Sequence, residues 1–200
     1  MFSLIAIIKT LGYFGIFGII FIETGMLFGF FFPGDTLLFS VGVLSFHNYF
    51  NIVYAIILLA LAAILGGLFG YWAGRKIGPR IFNREDSLFF KKSYVIRAQD
   101  FFRKYGNGTI FLARFVPVVR TFAPTVAGVA SMKYKNFYIY NILGAIVWCS
   151  SVTLFGYFIG GSISGVDKYL LPVIAIACTA SFFPILIEVF KRKHKTSKKL

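Results

Sequence analysis

The sequence predicts an all-α protein that crosses a membrane several times. Hydrophobic residues make up 58% of the 200 positions and charged residues only 14%, a balance far from that of soluble domains. Several uncharged runs reach the roughly 20 residues that a helix needs to cross a bilayer. Two other apolar segments are interrupted, one by Pro33-Gly34 and the other by Pro117 and Pro124. Backbone broken at membrane depth needs protein or a water-lined cavity around it, so these segments predict two re-entrant hairpins.

The element boundaries follow from the charge-free runs and the polar residues between them. Residues 4–20 predict an initial helix, and the sequence leaves open whether it crosses fully. Residues 36–74 carry no formal charge, and polar residues within 47–51 divide this run into a half-length piece and one full span. We therefore predict re-entrant hairpins over about 21–46 and 109–131, and spans over about 52–74, 137–159 and 169–189.

Basic residues set the predicted orientation. They concentrate between Arg75 and Lys104 and in the tail 191–200, and an excess of Lys and Arg in flanking loops marks the cytoplasmic side. Apolar residues at helical spacing within 83–105 predict an amphipathic helix on that membrane surface. Residues 1–190 then form one membrane transport domain with a cytoplasmic tail. The tail is either a solvated topology signal or a site for lipids or a partner, and a homo-oligomer stays open.

An internal repeat predicts two related halves. The sequence LFGYWAG at 68–74 recurs as LFGYFIG at 154–160, and the same offset pairs Gly42 with Gly128. If both basic patches are cytoplasmic, the two halves are inverted and their hairpins enter from opposite faces. Inverted repeats with broken helices that meet near the midplane are a recurring plan of transporters. Close helix packing through small residues would also account for the glycines.

Four charged residues fall inside the two predicted hairpins: Glu23, Asp35, Arg114 and Arg120. Charges at membrane depth are costly and usually face a cavity, a partner or a substrate. Two arginines six residues apart would point to different faces of a continuous helix, so a break at Pro117 is expected to let both converge. Two alternatives remain. The arginines either snorkel or form fixed ion pairs with the carboxylates, and the carboxylates either titrate or brace the first hairpin.

Several short motifs surround these charges. They are Glu23, Phe32-Pro33-Gly34-Asp35, Gly70-Tyr71-x-x-Gly74-Arg75, Phe111-x-x-Arg114-Phe115-x-Pro117-x-x-Arg120-Thr121 and Ala127-Gly128. Over approximately residues 10–190 the chain resembles the bacterial DedA family, which belongs to a wider superfamily that includes eukaryotic lipid scramblases. The arginine motif is the most specific part of this resemblance. Asp35 stands where many members carry Glu, which keeps the charge but shortens its reach.

The resemblance implies a fold, a function and a location. It implies two opposed re-entrant hairpins, movement of phospholipids or of undecaprenyl phosphate between leaflets, and a multi-pass protein of the bacterial inner membrane. It also implies functional importance for the positions that match the family's acidic and arginine residues. The structural positions of the motif are Pro33, Gly34, Pro117, Thr121 and Gly128.

The chemistry of these residues fits an anionic lipid. Arginine offers a planar, permanently charged fork for phosphate oxygens, so Arg114 and Arg120 are the predicted substrate ligands. Burial and a nearby arginine act in opposite directions on the pKa of a carboxylate, which makes Glu23 and Asp35 candidate proton carriers. We predict a lipid translocase with undecaprenyl phosphate as its first substrate and protons as a further partner. A phospholipid flippase or scramblase and a proton-coupled small-solute transporter are the alternatives.

Other classes of protein fit the sequence less well. The net charge of +14 lies in flanking patches, which argues against nucleic acid as a partner. The only histidines are His47 and His194, and the seven acidic residues are dispersed, with Glu85-Asp86 as the only adjacent pair. We therefore expect no enzyme, no catalytic residues, no metal and no cofactor. A scaffold would not explain four charges inside the membrane.

Overall fold

The computed structural model describes residues 4–26, 34–82 and 108–162, together with positions 96, 100–102 and 104–106. The described residues form helices joined by turns, as expected for an all-α chain. The elements are α1 (Leu4–Gly25), α2 (Gly34–Phe46), α3 (Ile52–Phe82), α4 (Thr109–Ala113), α5 (Pro117–Val129) and α6 (Tyr134–Ser162). The predicted span 169–189, the tail 191–200, Pro33 and most of the predicted amphipathic helix lie outside the described residues.

Two helices, α3 and α6, are long and apolar enough to cross a membrane, over Ile52–Gly78 and Tyr134–Gly161. They cover the predicted spans 52–74 and 137–159 and extend beyond them. Both helices present large apolar side chains on their outer faces, as expected of helices that contact lipid. On α3 this stripe consists of Val53, Ile57, Leu61, Leu65, Phe69 and Trp72, and on α6 it includes Ile139, Leu143, Ile146, Leu154 and Phe158.

Helix α1 ends and breaks at residues other than those that the sequence predicted. The hairpin was expected to begin near residue 21, but α1 continues to Gly25 and instead breaks at Gly12, where the backbone takes φ 56°. The apolar helix Gly12–Gly25 is followed by α2 of 13 residues. At about 1.5 Å per residue α2 rises only about 20 Å, less than the ~30 Å of a hydrocarbon core. Re-entry into the membrane stays a prediction for this pair of short helices.

Asn51 begins α3 and closes the turn after α2. Its side-chain Oδ1 accepts hydrogen bonds from the backbone N–H groups of Val53, at 3.0 Å, and Tyr54, at 3.3 Å. An asparagine in this role satisfies amides that the first turn of a helix leaves unpaired. The backbone N–H of Asn51 also donates to the hydroxyl of Tyr13 at 2.9 Å. The polar residues that predicted a break in the sequence therefore form a capped turn anchored to α1.

The two prolines of the second predicted hairpin have different effects on the backbone. The backbone turns between Ala113 and Pro117, so that α4 ends one residue before Arg114 and Pro117 occupies the first turn of α5. Proline suits that position because its missing N–H would have no partner there. Pro124 lies inside α5, which continues to Val129. The expected interruption at Pro124 is wrong, because the helix accommodates this proline.

The short helices pack reciprocally against the long ones. Helix α2 lies along α6, and α5 lies along α3. A Cβ added at Gly42 would overlap the carbonyl of Thr153, and one added at Gly128 would overlap the carbonyl of Tyr71. Each short helix therefore approaches the long helix of the other half through a glycine that has no room for a side chain.

The same contacts also correct the register of the repeat. Gly156 of α6 packs on the backbone of Phe39, and Gly74 of α3 packs in the same way on Thr125. Gly74 is thus the counterpart of Gly156. The repeated heptapeptide had instead paired Gly74 with Gly160. The long helices are shifted by one helical turn relative to the sequence match, because backbone approach fixes the register. Reciprocal packing is consistent with two related halves, while their inversion in the membrane stays a prediction.

Candidate functional site

An arginine with two carboxylates lies at the centre of the described helices. The Nη2 of Arg120 is 2.7 Å from Oε1 of Glu23, and its Nη1 is 2.5 Å from Oδ1 of Asp35. Glu23 is 1% exposed, whereas the side chain of Asp35 is 31% exposed. These residues come from the end of α1, the first turn of α2 and the first turn of α5. The site therefore joins the two predicted hairpins through a buried network of charges.

Trp148 of α6 completes this network. Its Nε1–H donates to Oδ1 of Asp35 at 2.9 Å, and the Cζ of Arg120 lies 4.5 Å from the centroid of its ring. A guanidinium over an indole face gains a cation–π attraction that strengthens when water is excluded. Trp148 thus contacts both members of one ion pair.

Arg114 is buried without a carboxylate partner among the described residues. Its Nη2 donates to the backbone carbonyl of Ala63 at 3.0 Å and to Oδ1 of Asn141 at 2.6 Å. The amide of Asn141 in turn donates from Nδ2 to the carbonyl of Ile64 at 3.1 Å. Neutral oxygens of α3 and α6 therefore hold this arginine. Among the described residues the two arginines have separate sets of hydrogen-bond partners, and their convergence on one bound ligand stays a prediction.

Three glycines make room for the buried charges. A Cβ at Gly34 would overlap the carboxylate of Glu23, and a Cβ at Gly67 would overlap Oδ1 of Asn141. A Cβ at Gly144 would lie 3.0 Å from Cδ of Arg114. The glycines of α2, α3 and α6 therefore allow long polar side chains to cross between closely packed helices.

Several polar atoms of the site have no hydrogen-bond partner within the part of the chain that the structure describes. They are Oε2 of Glu23, Nη1 of Arg114 and Nε of Arg120, and all three are shielded from solvent. A buried polar atom without a partner is costly, and each case calls for an explanation. The site thus retains two guanidinium donors and one carboxylate oxygen that can still bind a polar ligand, water or a proton.

The structure places the other predicted motif residues around this centre. Pro117 begins α5, Gly34 begins α2 beside Glu23, and Thr121 is buried in α5 next to Arg120. Gly128 acts at a distance from the charges, in the contact between α5 and α3. Among the described residues, no group of three His, Cys, Asp or Glu side chains is placed to hold a metal ion.

Sequence reasoning missed Asn141 and Trp148. Both had a signal that could have found them. Asn141 is a fully buried amide inside an otherwise apolar predicted span, and a polar side chain at membrane depth usually binds a partner. Trp148 lies well inside its helix, whereas tryptophan in membrane proteins is enriched at the interfaces.

The arrangement is suited to binding an oxyanion. Guanidinium groups recognise phosphate or carboxylate oxygens through paired N–H donors. The four charges, Glu23, Asp35, Arg114 and Arg120, sum to zero when all are ionised. An anion that enters would therefore leave an excess of negative charge in a site shielded from water. Protonation of a carboxylate is the simplest compensation that this set of side chains offers.

Comparisons with known proteins agree with this architecture. The VTT domain family matches residues 32–158. The chain is 44% identical over 176 residues to the uncharacterized membrane protein Rv0364 of Mycobacterium tuberculosis, covering 87% of this chain and 77% of the relative. It is 39% identical over 185 residues to protein DedA of Escherichia coli, covering 92% and 84% of the two chains. It is 34% identical over 148 residues to the Escherichia coli inner membrane protein YqjA, covering 74% and 67%. No solved structure matches the chain. The chain therefore belongs to the DedA family of VTT-domain membrane proteins.

Proposed function

We propose that this membrane protein is a lipid translocase of the bacterial inner membrane, which moves an anionic, phosphate-bearing lipid between leaflets. Undecaprenyl phosphate is the first candidate substrate. The observation that carries the proposal is the ion network in which Arg120 binds Glu23 and Asp35, while Nη1 of Arg114 has no partner among the described residues. A membrane family whose relatives include an inner membrane protein supports a transport or lipid-related role.

Arg114 is the first ligand for the phosphate in this mechanism. Its contacts are to neutral oxygens of Ala63 and Asn141, so an anion competes with no carboxylate there. Arg120 offers its Nε, which has no partner among the described residues, while its two Nη atoms become available only when Glu23 or Asp35 releases them. A phosphate that reaches Arg114 therefore meets one ready guanidinium and one that must be exchanged from its ion pairs.

Charge balance links this exchange to protons. Replacing a carboxylate by phosphate on Arg120 leaves the displaced carboxylate without its counter-charge in a shielded site, which is strongly unfavourable. Glu23 is the first candidate to take up a proton, because it is almost fully buried and its Oε2 has no partner within the described part of the chain. Asp35 is the second, with partial exposure and the additional donor of Trp148.

The lipid tails have a separate path. The outer faces of α3 and α6 expose continuous apolar stripes, along which isoprenoid or acyl chains can stay in the bilayer while only the headgroup enters the protein. The transport of a small soluble anion would need no such arrangement.

Reconstituted vesicles test the proposal. Purified protein in proteoliposomes should accelerate the loss or gain of headgroup accessibility for a polyprenyl phosphate, relative to protein-free vesicles. Parallel vesicles with phosphatidylglycerol and phosphatidylethanolamine distinguish a polyprenyl phosphate carrier from a general phospholipid scramblase. Uptake of a soluble anion without any movement of lipid would overturn the proposal in favour of a small-solute transporter.

The same vesicles test proton coupling. Glu23→Gln and Asp35→Asn are nearly isosteric and imitate protonated carboxyls. We expect Glu23→Gln to lose the response to an imposed pH gradient, while passive lipid exchange continues because both arginines remain. A double variant that responds to the gradient as the wild type does would remove both residues as obligatory proton carriers.

A further inference from the structure

One end of the molecule brings together two basic pairs that are far apart in sequence. Arg75 and Lys76 lie near the end of the apolar part of α3, and Lys133 and Lys135 flank the start of α6. All four side chains are exposed. No carboxylate lies within ion-pairing distance of any of them among the residues that the structure describes.

Tyr71 joins the two pairs. Its hydroxyl donates to the carbonyl of Met132 at 2.5 Å and accepts from Nη1 of Arg75 at 2.8 Å. Its ring stacks on Phe137 at 4.4 Å between centroids. The turn that carries the lysines of α6 is thereby fixed against the arginine of α3. We name the set Arg75, Lys76, Lys133 and Lys135 the basic patch.

Exposed aromatic rings adjoin the basic patch. Trp72 is 57% exposed and lies beneath Nζ of Lys76, at 4.9 Å from the ring centroid. Tyr134 and Tyr138 are also exposed, with their rings stacked at 5.8 Å. Tryptophan and tyrosine with lysine and arginine beside them at the end of a spanning helix are typical of the level of lipid headgroups.

Among the described residues, the opposite ends of α3 and α6 carry exposed aromatic rings but no lysine or arginine. The turn at residues 47–51 contains no lysine or arginine, although Tyr49 and Tyr54 are exposed there and Phe158 of α6 is also exposed. The two ends therefore share the aromatic character of an interface and differ in charge. Among the described residues of α3 and α6, cations that could attract anionic headgroups lie at one end only.

We propose that the basic patch together with Trp72 and Tyr134 forms a binding site for the headgroup of an anionic membrane phospholipid. Charge complementarity selects the occupant, because each cation near a membrane surface adds favourable interaction with anionic lipid. The exposed rings place the bound molecule at interfacial depth, which is the level of lipid headgroups. A soluble anion has no comparable preference for that depth. The site concerns lipid binding alone and stands whether or not the protein translocates its ligand.

Tryptophan fluorescence in bilayers tests the site directly. The chain has two tryptophans, and Trp148 is buried, so quenching by brominated lipid reports on Trp72. Phosphatidylcholine bilayers receive the same fraction of dibrominated phosphatidylglycerol or of dibrominated phosphatidylcholine. We expect Trp72 to be quenched about threefold more effectively by the anionic lipid at low ionic strength, and the preference to shrink with added salt. Trp72→Phe should remove the quenching and so confirm its source.

Two further variants make the result decisive. In the triple variant Lys76→Gln/Lys133→Gln/Lys135→Gln, the two brominated lipids should quench Trp72 equally. A tryptophan at the uncharged end, introduced as Tyr54→Trp in the Trp72→Phe background, should show no preference for the anionic lipid.

Equal quenching of wild-type Trp72 by the two lipids would overturn the proposal and leave the basic patch as a topology signal. A preference that the triple variant retains would place the lipid site elsewhere. A preference abolished by inorganic phosphate but not by chloride at matched ionic strength would instead indicate a site for free anions.

Discussion

Arg114 and Arg120 are close in sequence and both buried, yet the protein holds them in different ways. Arg120 binds two carboxylates and stacks on Trp148. Arg114 binds a backbone carbonyl and the amide of Asn141. The turn between α4 and α5 separates the two side chains and directs them to different neighbours. Arg120 is paired with opposite charges, whereas Arg114 contacts only neutral hydrogen-bond acceptors among the described residues.

Arg114 and Arg120 belong to one sequence motif, yet their different surroundings predict different roles. A buried charge that contacts only neutral oxygens lowers the stability of the fold. A purely structural role therefore does not explain Arg114 well. A buried ion pair is costly to break from one side only, so Arg120 combines structural support with any role in binding. The fixed ion pairs that the sequence left open therefore exist for Arg120 and are absent for Arg114 among the described residues.

Neutralising each arginine in turn should give the largest difference in the free energy of unfolding between two variants. Arg120→Gln leaves Glu23 and Asp35 without a counter-charge and should lower the free energy of unfolding by about 3–5 kcal/mol. Arg114→Gln removes hydrogen bonds to neutral acceptors only and should cost about 1–3 kcal/mol. Denaturation of the purified variants in detergent measures both.

A compensating variant controls this experiment. Adding Glu23→Gln and Asp35→Asn to Arg120→Gln removes the stranded charges and should recover much of the lost stability. Equal losses for the two single arginine variants, or no recovery in the triple variant, would show that the ion pairs are not what distinguishes the arginines.

Replacing either arginine by lysine should preserve charge and still impair transport. An ammonium group lacks the planar fork that binds phosphate through two donors. We expect Arg114→Lys and Arg120→Lys each to slow lipid transport about tenfold, which corresponds to ~1.4 kcal/mol of lost recognition. Rates are normalised to folded protein in the vesicles. Near-normal rates for both variants would favour a general positive field over specific phosphate contacts.

Asn141→Asp should convert the Arg114 site into one like that of Arg120. The new carboxylate would pair with Arg114 and compete with an incoming phosphate. We expect a transport rate reduced about tenfold, with little loss of folded protein. Asn136→Asp makes the same change in the first turn of the same helix, away from the site, and should be neutral. Undiminished transport in Asn141→Asp would contradict the role of Arg114 as the ready ligand.

Changes at Trp148 should have the smallest effect. Trp148→Phe removes the hydrogen bond to Asp35 but keeps an aromatic ring under Arg120, and should cost about 1 kcal/mol of stability. Trp148→Leu also removes the ring and should cost about 1 kcal/mol more. The matched control Trp72→Phe, at an exposed position, should stay within about 0.5 kcal/mol of wild type.

Much of the fold follows from local signals in the sequence. The polar residues before α3 predicted the turn that Asn51 caps, and Pro117 predicted the break beside Arg114. Helix α1 was misjudged at Gly12, because glycine within an apolar run carries no sign of the backbone conformation it adopts. Pro124 was misjudged because tertiary packing allows a proline inside α5.

The contacts of the site were less predictable because they depend on which helices become neighbours. The four charges were foreseen as a group, since charge at membrane depth demands a partner. Their individual pairing depends on the reciprocal packing of α2 on α6 and of α5 on α3, which brings Asp35 to Trp148. The register of that packing is set by glycines such as Gly42 and Gly128 at backbone contacts, and the repeated heptapeptide pointed to a register one turn away.

If a phosphate-bearing lipid takes Arg120 from its carboxylates, we expect Glu23 to accept a proton in exchange. Infrared difference spectroscopy of the protein in bilayers, with and without a polyprenyl phosphate, detects this protonation. We expect the added lipid to produce a band of a protonated carboxyl group, which is present in the wild type and in Asp35→Asn and absent in Glu23→Gln. Lipid binding without such a band, or a band that persists in Glu23→Gln, would contradict it.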